Sequence, residues 1–387
     1  LGLARHGKPQ RFKRLGHNIA IMDEESTGFY GSPERFLGVR LSDETLNCAQ
    51  TWFCISDQLR QQAIKEYPKH AKRFVVSGLP RTDTWRPQLH LLYENQVATI
   101  KQRHGDYILF CSNFGGIVHA RGEAFVRKQL KGQSGAYAKT EEESEQIFHQ
   151  GRQNLDAFVA ALPQIKKWFP KHKLIVRPHP SESLEFWQNA VGGIDQCEVI
   201  AEGAASPWIL GSSCLLHHGC TTGIEAEIMG KSHIMYAPFR DDHHDTKVME
   251  AFAPIVKTMD DLKRSMSAMV SGNTKARDNM KDKEQFFAQL EGKLSSEAIL
   301  DEIDTYKLSP SPFPAWFAAT QFTPRMLMAN VKPRSHKSKT YANQKWQGTT
   351  VAELGDTLSK INTALGDQTD VLIEQKIPDL FVIQSKD

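Results

Sequence analysis

KLIVRPHPSESLEFWQNAVGGIDQCEVIAEGAASPWILGSSCLLHHGCTTGIEAEIMGKSHIMYA, residues 173–237, decides the fold. Lys173–Val176 is an apolar run that stops at Arg177-Pro178-His179-Pro180. Two prolines cannot continue a strand's hydrogen-bond ladder, so these residues sit where the strand ends. A second apolar run, Ser213–His217, stops at His218-Gly219-Cys220-Thr221-Thr222-Gly223. A helical pattern follows from Ile224 to Met229 and closes at Gly230, and His233–Tyr236 is again strand-like. Strand, turn, helix and strand make a βαβ unit. A helix N-terminus presents unpaired N–H groups and partial positive charge, which suit a phosphate. In an open parallel sheet, ligands lie beyond the carboxyl ends of the strands. Arg177, His179, Thr221 and Thr222 share that edge. A Thr ahead of a helix is ordinarily a cap, and a lone His beside Pro is ordinarily structural. An Arg-Pro-His-Pro loop and a Thr-Thr helix start on two strand ends of one sheet together point to an anion site.

Working outward, the 387 residues are enough for two or three domains and a sizeable core. A hydrophobic fraction of 40% and a charged fraction of 24% describe an ordinary soluble globular chain. The net charge of +3 is weak, and no basic stripe with interleaved aromatics argues for nucleic acid. The six cysteines, at 48, 54, 111, 197, 214 and 220, form no CxxC pair and are expected to be reduced thiols of a cytosolic protein. No apolar stretch reaches the roughly 18 residues that a membrane span needs. No signal peptide is evident. Leu1 is not a start methionine, so the chain is expected to be a fragment of a longer one.

Residues 1–90 alternate helix and strand, as in an α/β domain. A basic segment, 5–17, leads to an expected strand at Asn18–Met22 and then to Asp23-Glu24-Glu25-Ser26-Thr27-Gly28. An acidic turn of this kind is either solvated or catalytic. Residues 50–55 are a further strand, Ser56-Asp57 caps a helix to about Tyr67, and Arg73–Ser77 is a strand before the Gly78-Leu79-Pro80-Arg81 turn. Tyr107–Cys111 starts a fresh strand, followed by Ser112-Asn113-Phe114-Gly115-Gly116. The domains are therefore expected to be 1–105, 106–305, and 306–387 as an irregular connection with a helix, 349–365, packing back on the first domain. The run Asp241-Asp242-His243-His244-Asp245 has a metal-like composition but no enforced ligand spacing, and is read as a solvated or substrate-facing loop.

Three loops stand out: Asp23-Glu24-Glu25, Arg177-Pro178-His179-Pro180 and His218-Gly219-Cys220-Thr221-Thr222. The set resembles the motifs of bacterial GT-B glycosyltransferases that use CMP-activated acidic sugars, the sialyltransferases and Kdo transferases among them. The runs Gly16–Glu25 and Cys220–Ala226 resemble the surface-carbohydrate biosynthesis proteins of capsule and O-antigen loci, as do the Phe53-Cys54 strand, Val76–Arg81 and Leu109–Phe114. The likeness covers roughly residues 10–260 and recurs weakly at 340–387. Such proteins carry a strand, helix and strand ahead of the segment matching Leu15–Glu25. Here about fifteen residues precede it, so the first Rossmann half is expected to be truncated or remote.

The resemblance implies an α/β GT-B fold, with two Rossmann-like domains facing a cleft, 1–105 on the acceptor side and 106–305 on the nucleotide-sugar side. It implies a nucleotide-sugar donor, a glycan or lipid-linked glycan acceptor, no nucleic acid and no resident cofactor or metal. The expected location is the cytoplasm, with peripheral association at the inner face of the inner membrane left open. Donor contacts are expected from Arg177, His179, Ser112, Asn113, His218, Thr221, Thr222 and Glu225, the last at the ribose. Glu25, Glu24 or Asp23 is expected to be the catalytic carboxylate. The intervening Ser26-Thr27 blurs which one, because the family places glycine directly after its acids. A UDP- or GDP-sugar, a CDP-polyol, an epimerase and a catalytically silent nucleotide-sugar-binding subunit are the competing readings.

Overall fold

In a computed structural model, residues 8–14, 16–25, 32–131, 140–240, 247–273, 279–307, 348–367, 369–377 and 380–386 are described. Asp241–Asp245, Ser26–Gly28 and most of the 306–347 connection lie outside them. The expected α/β class with parallel sheets is found. Strands β1 (Ala20–Met22), β2 (Thr51–Cys54) and β3 (Phe74–Val76) form a three-stranded parallel sheet in that order. Ser56 starts the helix after β2 by accepting the Leu59 N–H at 3.2 Å, as a serine N-cap does.

The second sheet holds β4 (Tyr107–Cys111), β5 (Lys173–Arg177), β6 (Cys197–Val199), β7 (Cys214–His217), β8 (His233–Tyr236) and β9 (Ile255–Val256). All its pairings are parallel, and the order is β6-β5-β4-β7-β8-β9. Numbered within the unit, that is 3-2-1-4-5-6, the doubly wound order of a dinucleotide-binding fold. The winding reverses between β4 and β7, so the crevice at their carboxyl ends is where a ligand fits.

The apolar run of β4 explains its central place, because a strand covered on both faces reads as continuously hydrophobic. Tyr107, Leu109 and Cys111 face one layer with Ile175, Leu215 and Met235. Ile108 and Phe110 face the other with Val176, Leu216, Ile234 and Phe158. Burying a Leu or Phe side chain of this kind contributes about 1.5–3 kcal/mol. Phe158 belongs to the helix Glu141–Trp168, whose start is a capping box between Thr140 and Glu143.

The first layer runs on without a break into the first unit, through Leu37, Trp52, Phe74, Leu79 and Trp85. Polar contacts fix the same junction. Asp83 accepts the N–H groups of Ser295 and Ser296, both at 2.9 Å, and so caps the helix Ser295–Asp304 from a distant segment. Arg86 donates to the carbonyls of Gly292 and Lys293, and the Ala288 N–H reaches the Ile55 carbonyl at 2.7 Å. A Cβ on Gly78 would stand 2.4 Å from Ser295 Oγ and 2.5 Å from the Ala288 carbonyl oxygen. Glycine is required there for the close approach. The carboxyl edge of the first sheet is thereby pressed against the end of the second unit.

The helix Val351–Leu365 packs on the turn Pro87–Tyr93. It also meets β10 (Val371–Ile377), which pairs antiparallel with β11 (Leu380–Ser385). The sequence leads one to expect a short apolar strand over 379–383, which falls on β11, and none over β10. Among the described residues no helix is long and apolar enough to cross a membrane.

Candidate active site

The loops after β4, β5 and β7 meet at the reversal point of the second sheet. Glu182 joins the first two. It is buried, and its carboxylate accepts from Ser112 Oγ, from the Phe114 N–H and from Trp187 Nε1. Burial raises its pKa, and these hydrogen bonds offset part of the rise. Main-chain bonds zip the same loops: Ala120 N–H to the Ser181 carbonyl and Ser183 N–H to the Val118 carbonyl, both at 2.8 Å.

His179 is exposed on this scaffold. Its Nδ1 accepts the Ser181 N–H at 3.2 Å and lies 2.8 Å from Ser181 Oγ, so the neutral ring carries its proton on Nε2. Ser112 Oγ accepts the His179 N–H at 3.3 Å. The β4 and β7 loops are joined by Asn113, whose Nδ2 donates to the Gly219 carbonyl at 3.1 Å. They are joined again by Phe114, stacked on His218 at 4.9 Å and 13°. His218 Nδ1 donates to the Tyr236 carbonyl at 3.0 Å. Ser112, Asn113, His179 and His218 are thus brought together.

The helix that sequence reading starts at Ile224 runs Thr221–Ile228, so Thr221 and Thr222 are its first two residues. Its N-cap, Cys220, makes no side-chain cap, and no acid lies in its first turn. Thr222 Oγ1 is buried beside the Cys111 and Cys220 thiols. Burial raises both thiols, which keeps them protonated and poor nucleophiles. Gly223 lets the helix sit on β7, since a Cβ there would lie 2.3 Å from the His217 ring. Beneath it runs a buried chain, His217 Nε2 to His233 Nδ1 at 3.3 Å, His233 Nε2 to Glu227 at 2.8 Å, and Glu227 to Lys283 at 2.6 Å.

Glu225 is one turn into this helix and buried, and Ser206 Oγ donates to its carboxylate. Burial pushes its pKa up to about 7, against the Ser206 bond and the charges of Arg81 and Arg177. Arg177 itself is buried. It donates to the carbonyls of Glu202 at 2.9 Å and Gly203 at 2.7 Å, and lies over the Trp208 ring at 5.2 Å. Its charge is therefore committed to the 202–203 loop as well as to the strand end. A cavity of about 350 Å³ opens beside that loop, between Asn95, Gln96 and Thr99 on one side and Gly203, Ala204, Pro207 and Trp208 on the other.

The acidic turn of the first unit is differentiated. Asp23 is bound by Arg40, and Glu24 pairs with Arg81. Glu25 is exposed and donates its N–H to Asp23 at 3.0 Å, and among the described residues no partner is found for its carboxylate. Among the described residues no group of three or more His, Cys, Asp or Glu is placed to hold a metal ion.

Sequence reasoning missed Glu182, Ser206 and Arg81. No motif marks Glu182 or Ser206, and Arg81 is read only as part of the Gly78-Leu79-Pro80-Arg81 turn.

No family model matches the sequence, and no curated protein matches it. Solved structures give loose likenesses. The wall teichoic acid polymerase TagF, soaked with CDPG, is 13% identical over 68% of this chain with a TM-score of 0.40. The chain spans 58% of that polymerase's length. The UDP-GlcNAc 2-epimerase of Methanocaldococcus jannaschii is 14% identical over 77% of this chain and 73% of its own, with a TM-score of 0.47. Likenesses this loose assign no residue and no activity.

Proposed function

We propose that the chain is a GT-B glycosyltransferase of bacterial surface-polysaccharide synthesis. It would take an acidic sugar, Kdo or a related nonulosonate, from a CMP donor and pass it to a glycan or lipid-linked glycan acceptor, without a metal. The observation that carries this reading is the convergence of the Ser112, His179 and Thr221 loops on the reversal point of a 3-2-1-4-5-6 sheet. The uncapped helix start offers its Thr221 and Thr222 N–H groups to a phosphate, and His179 Nε2–H adds a donor. Glu225 accepts from the ribose hydroxyls, and the cavity beside Gly203 receives the base.

Glu25 is the base we favour, because Asp23 and Glu24 already carry arginine partners. The acceptor hydroxyl attacks the anomeric carbon. The bond from that carbon to the phosphate oxygen breaks, CMP leaves with the electron pair, and the acceptor proton passes to Glu25. The negative charge that develops on CMP is met by the helix start and His179.

A thermal-shift panel of CMP, UMP, GMP and CDP tests the donor side. A rise with CMP above the others supports the reading, since a ligand that binds only the folded state raises its melting point. No rise with any nucleotide removes it.

A further inference from the structure

Residues 348–386 differ from the rest of the chain. None of the described residues there is buried, although they form the helix Val351–Leu365 and the hairpin β10–β11. Leu372, Leu380 and Ile383 are 52%, 41% and 47% exposed. Single exposed apolar residues are ordinary on any surface. Here they crowd a sheet of two strands, and a lone two-stranded hairpin is marginal in water. Three or more strands with an apolar face are needed. The helix lies on one face, where a Cβ on Gly355 would stand 3.7 Å from Ile373 Cδ1.

The two strands of the hairpin differ in charge. β10 carries Glu374 and Lys376, which pair with each other, and charges of this kind keep an open edge from pairing with another chain. β11 has no charge, no proline and no glycine from Leu380 to Ser385, the composition of a strand that pairs readily. The phase of the ladder fixes which groups β11 turns outward. The Lys386 N–H donates to the Asp370 carbonyl at 3.0 Å, and Gln384 and Val382 stand opposite Leu372 and Glu374 in the same register. Hydrogen-bonded and non-hydrogen-bonded pairs alternate along an antiparallel ladder, so the main-chain groups of Val382 and Gln384 face β10. Those of Phe381 and Ile383 point out of the hairpin, and among the described residues no strand meets them.

We propose that β11 is a self-pairing edge, and that two copies of the chain join through it, antiparallel about Val382, to make one four-stranded sheet. This register sets Phe381 of one copy opposite Ile383 of the other, and the twofold axis repeats the pair. Each pair exchanges two main-chain hydrogen bonds, about four in all. Each also sets an aromatic against a β-branched side chain, a favourable cross-strand combination. Phe381 and Ile383 share the face that carries Ile373 and the helix, and Val382 meets its own copy on the other face. An uncharged strand opposes no like charges when it pairs with itself. The contact is isologous and closes at two copies. A lipid surface is the other occupant an apolar segment of this kind could have, but 348–386 holds six acids against three lysines and no arginine. Helices that lie on membranes are rich in cations. The inference is independent of the donor site.

The test is sedimentation velocity of the full chain over a concentration series, for wild type, Ile383→Pro and Ile383→Lys, with oxidative cross-linking of Val382→Cys. Proline at 383 removes an N–H that points away from β10, so the hairpin keeps its own ladder. Wild type should sediment as a dimer. Its dissociation constant should rise about tenfold or more in Ile383→Pro, which loses one hydrogen bond from each copy, and in Ile383→Lys, which puts charge on the edge. Val382→Cys should form a disulfide between copies, because a non-hydrogen-bonded pair sets its Cα atoms about 4.5 Å apart. Wild type and Gln384→Cys should form none. A wild type that stays monomeric up to its solubility limit overturns the proposal. A dimer that both substitutions at 383 leave intact overturns it too, as does a Val382→Cys dimer that oxidation does not cross-link. Capture of a monomeric wild type by phosphatidylglycerol vesicles would assign the face to lipid instead.

Discussion

Arg40 holds Asp23 through two parallel hydrogen bonds, Nε to Oδ2 at 2.7 Å and Nη2 to Oδ1 at 2.9 Å. The side chains are only 14% and 10% exposed, so the pair ties the end of β1 to the helix Pro33–Arg40. Asp23→Asn should therefore lower stability by about 2 kcal/mol. Glu25→Gln, at an exposed carboxylate, should leave it unchanged. Denaturant midpoints of the two variants check this, and equal midpoints would remove the distinction between the acids.

Glu182 gathers donors from Ser112, Phe114 and Trp187. Glu182→Ala leaves these groups buried without an acceptor, at about 1–3 kcal/mol for each. The melting temperature should fall, and nucleotide affinity with it, because Ser112 and Asn113 lose their anchor. Retained stability in Glu182→Ala would show that water or a neighbour replaces the carboxylate.

Gly223→Ala places a methyl against the His217 ring. Neither the helix nor β7 can yield without moving Thr221 and Thr222. The variant should lose a few kcal/mol of stability, on the order of an overpacked core, about 1–3 kcal/mol, and most of its nucleotide binding. Unchanged thermal melting would contradict the close contact.

Glu225 gives stability a pH dependence. Its folded pKa is raised from 4.5 to about 7 by burial, with Arg81 and Arg177 opposing the rise and Cys111 nearby. Below pH 4.5 both folded and unfolded forms are protonated. Between 4.5 and 7 the unfolded chain releases its proton first, so stability falls as pH rises through this window and is level above it. Glu225→Gln should remove that component, and melting curves of the two proteins across the window should converge at acid pH and separate toward neutrality. Parallel curves would place Glu225 in water.

The buried strands were legible because their chemistry is local. Continuous apolar runs at Tyr107–Cys111 and Lys173–Val176 have no exposed face, and Ser56 announces the helix it caps. The loops after β4, β5 and β7 were legible for the same reason, as polar residues at abrupt strand ends. What escaped depends on distant partners. Arg177 reads as an anion ligand, yet its guanidinium is engaged by carbonyls at 202 and 203. Glu182 belongs to no motif the sequence displays, yet it accepts from a segment some seventy positions earlier. Asp83 caps a helix 212 residues away. No periodicity encodes such pairings. The hairpin strand Val371–Ile377 was missed because charged residues interrupt its apolar pattern.

The most direct measurement is product mass after incubation of wild type and Glu25→Gln with CMP-Kdo and with CMP-sialic acid, with and without a glycan acceptor, alongside calorimetric binding of CMP to both proteins. The expected result is release of CMP and transfer or hydrolysis of the sugar by wild type. Glu25→Gln should bind CMP as tightly but turn over about 10²–10⁴-fold more slowly. Full turnover by Glu25→Gln, or no turnover of either CMP donor by a wild type that binds a different nucleotide tightly, would contradict it.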